Sequence, residues 1–338
     1  MSAVLNSVIA RSRTEAPDAG SDTRACAVEQ ALATSLSMVR SPRMYEDAAT
    51  SAVAGTVRWK PAKSIWIGSM TTAAVVAGPF TLTPGAFALF LAATAATICL
   101  GHSLGMHRRL IHRSYDGPLW LERLFVYLGT LVGMSGPGGM IRQHEIRDWA
   151  QRKPVCHPYL AHRSDLVRDG WWQLHCELVL DRPPDLVIEP RVAADRFYAV
   201  LDRTWMAQQL PWAAAFFVVG GWPWLVWGIP VRVALSVTGH WLIGWFGHNR
   251  GQRNWHVEGA GVQGYNVSWV SLPTMGESLH NNHHAYPASA RLAHKPGEID
   301  PGWWVLQGLS RVGLVTNAKT PETLPERSAL TTLGSGPG

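Results

Sequence analysis

The feature that most limits what this chain can fold into is the absence of charge from long stretches of it. From Ser64 to Gly101, 38 residues pass without Asp, Glu, Lys, Arg or His. From Trp205 to Val231 another 27 carry no charged side chain, and from Val233 to Asn249 a further 17 hold only His240 and His248 as titratable groups. A transmembrane helix needs about 20 mostly apolar residues. The reading is therefore an all-α integral membrane protein with a long polar section between two hydrophobic blocks. Wholly helical, the first run would extend about 57 Å, too long for one span and right for two, with Pro79, Pro84 and Gly85 as the break. The second block divides likewise, around Gly220 to Pro223 or at Pro230. Four transmembrane helices in two hairpins are expected, at about 64–82, 84–101, 207–228 and 231–248.

Several of the 17 Trp (Trp59, Trp66, Trp205, Trp212, Trp241) fall near the ends of these runs, as in an interfacial aromatic belt. The section between the blocks is rich in Arg108, Arg109, Arg113, Arg142, Arg147, Arg152 and Lys153. The positive-inside rule places it in the cytoplasm, together with both termini. The uncharged stretch from Leu124 to Ile141 holds five glycines and reads as interfacial or re-entrant. Residues 1–58 are expected to be a disordered tail without the apolar core of a signal peptide, residues 59–315 the membrane domain, and residues 316–338 a loose tail. The net charge of +6 suits anionic head groups or a phosphate-bearing substrate; no nucleic-acid recognition motif appears. Cys26, Cys99, Cys156 and Cys176 form no CxxC pair and read as reduced thiols.

The polar segments carry histidines in a pattern. In "GESLHNNHHAYP", His280, His283 and His284 stand at i, i+3 and i+4, one face of a helix. Imidazole is a common ligand of iron, zinc, copper and nickel, but one such triplet cannot surround two metals and needs partners from elsewhere. "GMHRRLIHRSYD" supplies His107 and His112, five residues apart and so about 140° apart on an ideal α-helix, which suggests two different metals. "RQHEIRDWAQR" supplies His144, and "GHWLIGWFGHNRG" supplies His248. With the expected topology, all seven imidazoles reach the cytoplasmic membrane surface.

These segments resemble the membrane-bound fatty acid desaturases of the acyl-CoA (stearoyl-CoA-like) type. "HRRLIHRSYD" is similar to that family's first box, "GESLHNNHHAYPASARL" to its third box and flank, and "FGHNRG" to the segment bearing one further ligand histidine. The likeness runs from about residue 60 to 305. It implies four membrane helices under a cytoplasmic helical cap, two Fe ions, and O2-dependent insertion of a cis double bond into an acyl chain of acyl-CoA or an acyl-lipid. The implied metal ligands are His107, His112, His144, His248, His280, His283 and His284. Glu277, Asn281 and Arg147 are expected just behind them, Glu277 and Asn281 orienting imidazoles. No flavin or dinucleotide fingerprint, haem or fused cytochrome b5 motif is read in the chain, so electrons are expected from a separate ferredoxin or cytochrome b5 type of donor with its reductase.

The second box departs from the family's HxxHH. "HEIRD" keeps only His144, with Arg147 and Asp148 where the last two histidines belong, and Gly244 stands where the family has an Asn. Three explanations stay open: Asp148 as an oxygen ligand, with Glu145 or a water completing the shell; a substitute among His102, His157, His162 and His240; or loss of one metal. Arg147 is no ligand, since guanidinium has no lone pair to offer; it is expected to pair with Glu145, Asp148 or a substrate phosphate. Taken singly, His157 and His162 read as surface residues, His175 as an interfacial one, His240 as a hydrogen-bonded core residue and His256 as a loop residue. A lipid hydroxylase or ketolase, a haem protein and a non-catalytic lipid-binding relative are the alternatives.

Overall fold

A computed structural model describes residues 43–333. Two short strands open it, β1 (Met44–Tyr45) and β2 (Gly55–Trp59). Helix α1 (Pro61–Ala77) follows, with proline in its first turn, where a missing N–H costs nothing. A 3-10 turn at Pro79–Thr81 leads to α2 (Pro84–Ala95), whose N-cap Thr83 accepts from Ala86 N at 3.2 Å. From Ala96 to Ile111 the same helix winds as a π-helix. Next come α3 (Leu119–Thr130), α4 (Pro137–Gln151), α5 (Pro158–Ala161) and α6 (Leu166–His175). Strands β3 (Cys176–Leu180) and β4 (Asp185–Leu186) precede α7 (Pro190–Ala193) and α8 (Arg196–Thr204). The second apolar block forms α9 (Gln209–Val226), a π turn at Trp227–Val231, and α10 (Arg232–Asn249). The remainder holds β5 (Trp255–Val257), α11 (His280–Ala285), α12 (Pro301–Arg311) and β6 (Leu330–Thr332).

Two helical stretches are long and apolar enough to cross a membrane, Pro84–Ile111 and Gln209–Asn249. The second is bent sharply at Gly221, whose φ of 63° and ψ of −156° fall where only glycine sits easily. The chain doubles back there. Arg232 Nη2 bonds Gln209 Oε1 at 2.7 Å, and a Cβ on Gly228 would stand 2.5 Å from the Phe216 ring. The turn thus sits at the earlier of the two expected breaks, and the π turn at Pro230 lies within the returning leg.

Close approach positions the first long helix. A Cβ on Gly101 would fall 2.3 Å from Gly129 N, and one on Gly105 2.5 Å from the Phe125 carbonyl carbon. These two glycines, one helical turn apart, let α3 lie directly on the π segment. Met106, Leu110 and Ile111 then bury against Val126 of α3, Met140 and Ile141 of α4, and Tyr198 and Leu201 of α8. Full burial of each such side chain contributes roughly 1.5–3 kcal/mol, so the segment bearing His107 and His112 is held by α3, α4 and α8 at once.

The tails depart from expectation. Of the stretch assigned to an N-terminal tail, residues 1–42 lie outside the described residues, but β1 pairs with β4 and β2 with β3, antiparallel, Gly55 opposite Leu180 and Trp59 opposite Cys176. Arg43 is buried, bonding Glu189 at 2.8 Å, Glu145 at 3.1 Å and the carbonyls of Leu110 and Ile111. At the other end β6 pairs with β5, Leu330 opposite Val257. Alternating chemistry is weak in strands this short, which is why composition alone read them as loose.

Candidate metal centre

The histidines gather into two groups. The nitrogen atoms of His107, His112, His144 and His283 lie within 4.8 Å of one another, and so do those of His248, His280 and His284. Four separate elements build the first group and the segment around it: the π segment, α4, α11 and, through Glu277, the loop before α11.

Two local expectations change here. On an α-helix His107 and His112 would diverge; in the π segment the His112 N–H donates to the His107 carbonyl at 3.0 Å, an i to i+5 bond. Five residues then make about one turn, and both imidazoles enter the same group, with ring centroids 4.7 Å apart. The triplet on α11 also divides: His280 and His284, one turn apart, face His248, whereas His283 turns to the first group, 4.6 Å from the His107 ring. The single face expected for all three is shared between two centres.

Protons are placed by what stands behind each ring. His107 Nδ1 lies 2.7 Å from Glu277 Oε2, and Ser103 donates to the other oxygen of that carboxylate at 2.5 Å. Burial pushes the Glu277 carboxyl up, but His107 and Arg108 outweigh this and hold it well below the usual carboxylate range. His107 therefore carries its proton on Nδ1 and offers Nε2 to the group. His248 Nδ1 donates to the Gly244 carbonyl at 2.6 Å, which leaves its Nε2 facing His280 Nε2 at 3.1 Å; His284 Nε2 stands 3.1 Å from the same atom. Burial pushes His284 down to about 4, and holds His280 and His283 well below the ordinary histidine value, reinforced by the neighbouring imidazoles. Neutral imidazoles with converging lone pairs are a donor set for a transition metal.

The other candidate residues fall as follows. Asp148 lies outside both groups, its carboxylate 3.6 Å from His144 Nδ1 and 3.7 Å from Arg152. Glu145 turns to the ion pair with Arg43 and belongs to neither histidine group. Arg147 bonds His162 and, at 2.9 Å, Gln173 Oε1 instead of a carboxylate. Asn281 bonds backbone, accepting from the N–H groups of Asn254 and Trp255 and donating to the carbonyls of Trp255 and Gly264, so it fixes the β5 loop and orients no imidazole. His157 caps α5, bonding Tyr159 N; His175 meets Ser64 Oγ at 2.8 Å and stacks on Trp171. His240 packs edge-on to His102, ring centroids 4.9 Å apart. Sequence reasoning missed Gln151, whose Oε1 is 3.2 Å from His248 Nε2. Its signal was the stripe His144, Asp148, Gln151 at helical spacing.

Between the groups lies a cavity of about 190 Å³ touched by His107, His144, His248, His280 and His284, with Ile111, Met134, Met140, Val237 and Ile243 as apolar wall. A second cavity, of about 330 Å³, shares His102, His240, Ile243 and Glu277 with it and continues between Leu235, Phe246 and Val270. Lys63, Arg147, Asp148 and Glu277 also line the first cavity, whereas apolar side chains make up most of the second.

Residues 79–294 match the fatty acid desaturase family. Similar curated proteins include the sn-2 palmitoyl-lipid 9-desaturase of Nostoc sp., 32% identical over 64% of this chain and 75% of that protein. The sn-1 stearoyl-lipid 9-desaturase of Anabaena variabilis is 32% identical over 65% and 79%. The acyl-CoA C20 Delta5-desaturase of Anemone leveillei is 29% identical over 78% and 83%.

Proposed function

The chain belongs to the fatty acid desaturase family, and from that premise we propose that it inserts a cis double bond into a saturated acyl chain at a pair of histidine-held irons, with O2 as co-substrate. The observation that carries this reading is the cavity touched by both converging sets of imidazole nitrogens and walled in part by Ile111, Met134, Met140, Val237 and Ile243. Iron would be held by His107, His112, His144 and His283 on one side and by His248, His280 and His284 on the other, with Asp148 as an oxygen ligand. Supporting Asp148 is its place beside His144 and the pull of its charge on both His280 and His284.

Iron with O2 supplies the oxidising power that an unactivated C–H bond requires and that acid–base side chains lack. The chain's own residues do the rest. Glu277 keeps the His107 proton on Nδ1, and the Gly244 carbonyl keeps that of His248 on Nδ1, so both rings present Nε2. Met134, Met140, Val237 and Ile243 position the acyl chain and exclude water. The proposed topology is four membrane helices, α1, α2, α9 and α10, with both termini and the histidine-bearing segments on the cytoplasmic side. A separate ferredoxin or cytochrome b5 type of donor would deliver electrons there.

The test is purified iron-loaded protein in liposomes with ferredoxin, its reductase and NADPH, offered saturated acyl-CoA or saturated phospholipid, with products identified by mass spectrometry. A mono-unsaturated product is expected; a hydroxylated one in its place would move the chain to hydroxylation, and turnover on one substrate alone would fix the head group.

A further inference from the structure

The three-histidine group is short of nitrogen donors, and the residue nearest to correcting this is one that the sequence reads as a surface histidine. His162 is buried, 4% exposed, at the C-terminal cap of α5, and holds a left-handed φ of 51°. For a residue other than glycine that conformation is uncommon and persists where the surroundings impose it. Its Nδ1 lies 2.9 Å from Asp169 Oδ2, and the same oxygen accepts from Trp241 Nε1 at 2.9 Å. A carboxylate only accepts, so Nδ1 carries the proton and Nε2 keeps a lone pair. A buried carboxylate behind an imidazole is the arrangement that orients metal-ligating histidines.

The ring lies beside the three-histidine group. The His162 ring stacks on His248, centroids 5.1 Å apart with planes 15° apart, and it lines the cavity that touches His248, His280 and His284. Its Nε2 occupies space that a side chain on α10 would need: a Cβ on Gly244 would fall 3.2 Å from it. In the present arrangement the lone pair is met by the Arg147 guanidinium, a cation in the position of an electrophile, whose other nitrogen bonds Gln173.

We infer that His162, held by Asp169, is a further nitrogen donor to the three-histidine group, reaching it past Gly244 when Arg147 gives up the Nε2 lone pair. This rests on the two-metal reading above. Nothing on Asp148 conflicts with it, since a carboxylate oxygen and a fourth imidazole fill different positions around one ion.

The experiment compares wild type, His162→Ala, Asp169→Asn and the double variant His162→Ala/Gly244→His. The double variant returns an imidazole to the same space from α10, one turn before His248. Each protein is loaded with Fe(II) and separately with Co(II) and washed with a graded chelator. Readouts are metal per chain, the visible Co(II) spectrum, and the unfolding temperature of the metal-free form. The inference expects two metals in wild type, and in His162→Ala about 10–100-fold weaker retention of one of them with an altered Co(II) spectrum. Asp169→Asn is expected to shift the same way by less, the double variant to recover the second metal, and the metal-free unfolding temperatures to stay close together. Two equally held metals and an unchanged spectrum in His162→Ala overturn the inference and leave the two-metal reading intact. Loss of metal that tracks a lowered metal-free unfolding temperature and is not recovered in the double variant also overturns it, making His162 a packing residue. A single metal in wild type overturns the two-metal reading itself, and this inference with it.

Discussion

The two histidine groups stand side by side and are built on different terms. The four-histidine group is closed by nitrogen alone and braced from behind, by Glu277 at His107 and by the Arg43–Glu145–Glu189 pairing under α4 and the end of the π segment. The three-histidine group is bordered by Gln151 and the bare backbone of Gly244, with Asp148 and His162 on the wall of the same cavity. The first group draws on the π segment, α4 and α11, and the second on α10 and α11 alone. The contrast predicts unequal affinity, with the first centre filling before the second.

The largest effect should come from the ligands themselves. His107→Ala is expected to abolish desaturation and leave only the metal that a chelator removes readily, whereas His280→Ala is expected to abolish desaturation and leave the metal that resists it; equal chelator resistance of the remaining metal in the two variants would break the contrast. Next, Arg43→Ala removes the guanidinium that bridges Glu145 and Glu189, leaving Arg113 on Glu189; breaking such a buried pair costs about 3–5 kcal/mol, visible as a lowered denaturation midpoint in detergent. Glu277→Gln should weaken the first centre by about 10–100-fold without touching the second, measured by chelator competition; a loss confined to the other metal would reverse the assignment.

The smallest effect is on pH. Burial holds His284 and His294 down to about 4 in the folded chain, while the unfolded chain titrates near 6.5. Between these values the unfolded state binds more protons, so stability rises with pH across the window and falls as pH drops through it. Metal-free protein scanned from pH 7 to pH 5 should melt at progressively lower temperature, and a flat profile would show that these rings titrate normally.

Which parts of this were legible beforehand follows from what each signal depends on. Absence of charge marks helices over Ser64–Gly101 and over Trp205–Val231 and Val233–Asn249, because burial in an apolar medium tolerates no unpaired charge; the intervening Arg232 is buried with its guanidinium hydrogen-bonded. Histidine spacing marks the seven side chains that gather into two groups. It does not mark their partition, because that depends on winding: His107 and His112 share a group through the π segment, where Gly101 and Gly105 pack on α3, a tertiary fact. Asn281 shows the same limit. Its neighbours in sequence are ligands, but its side chain turns to the β5 backbone. His162 was one of four possible substitutes, read singly as a surface residue because its turn-like context says nothing of Asp169 and Trp241 arriving beside it.

The pairing of β6 with β5 bears on the order in which the protein can mature. Arg327, just before β6, donates to the carbonyls of His284 and Ala285 at the C-terminal end of α11. Strand β6 anchors that arginine against Val257 and Trp255. Ribosomes deliver Leu330–Thr332 after every histidine of both centres has been made. The helix that carries three of the histidines is thus secured in part by residues made after all of them, so a chain truncated before Arg327 should retain iron less well than the longer chain.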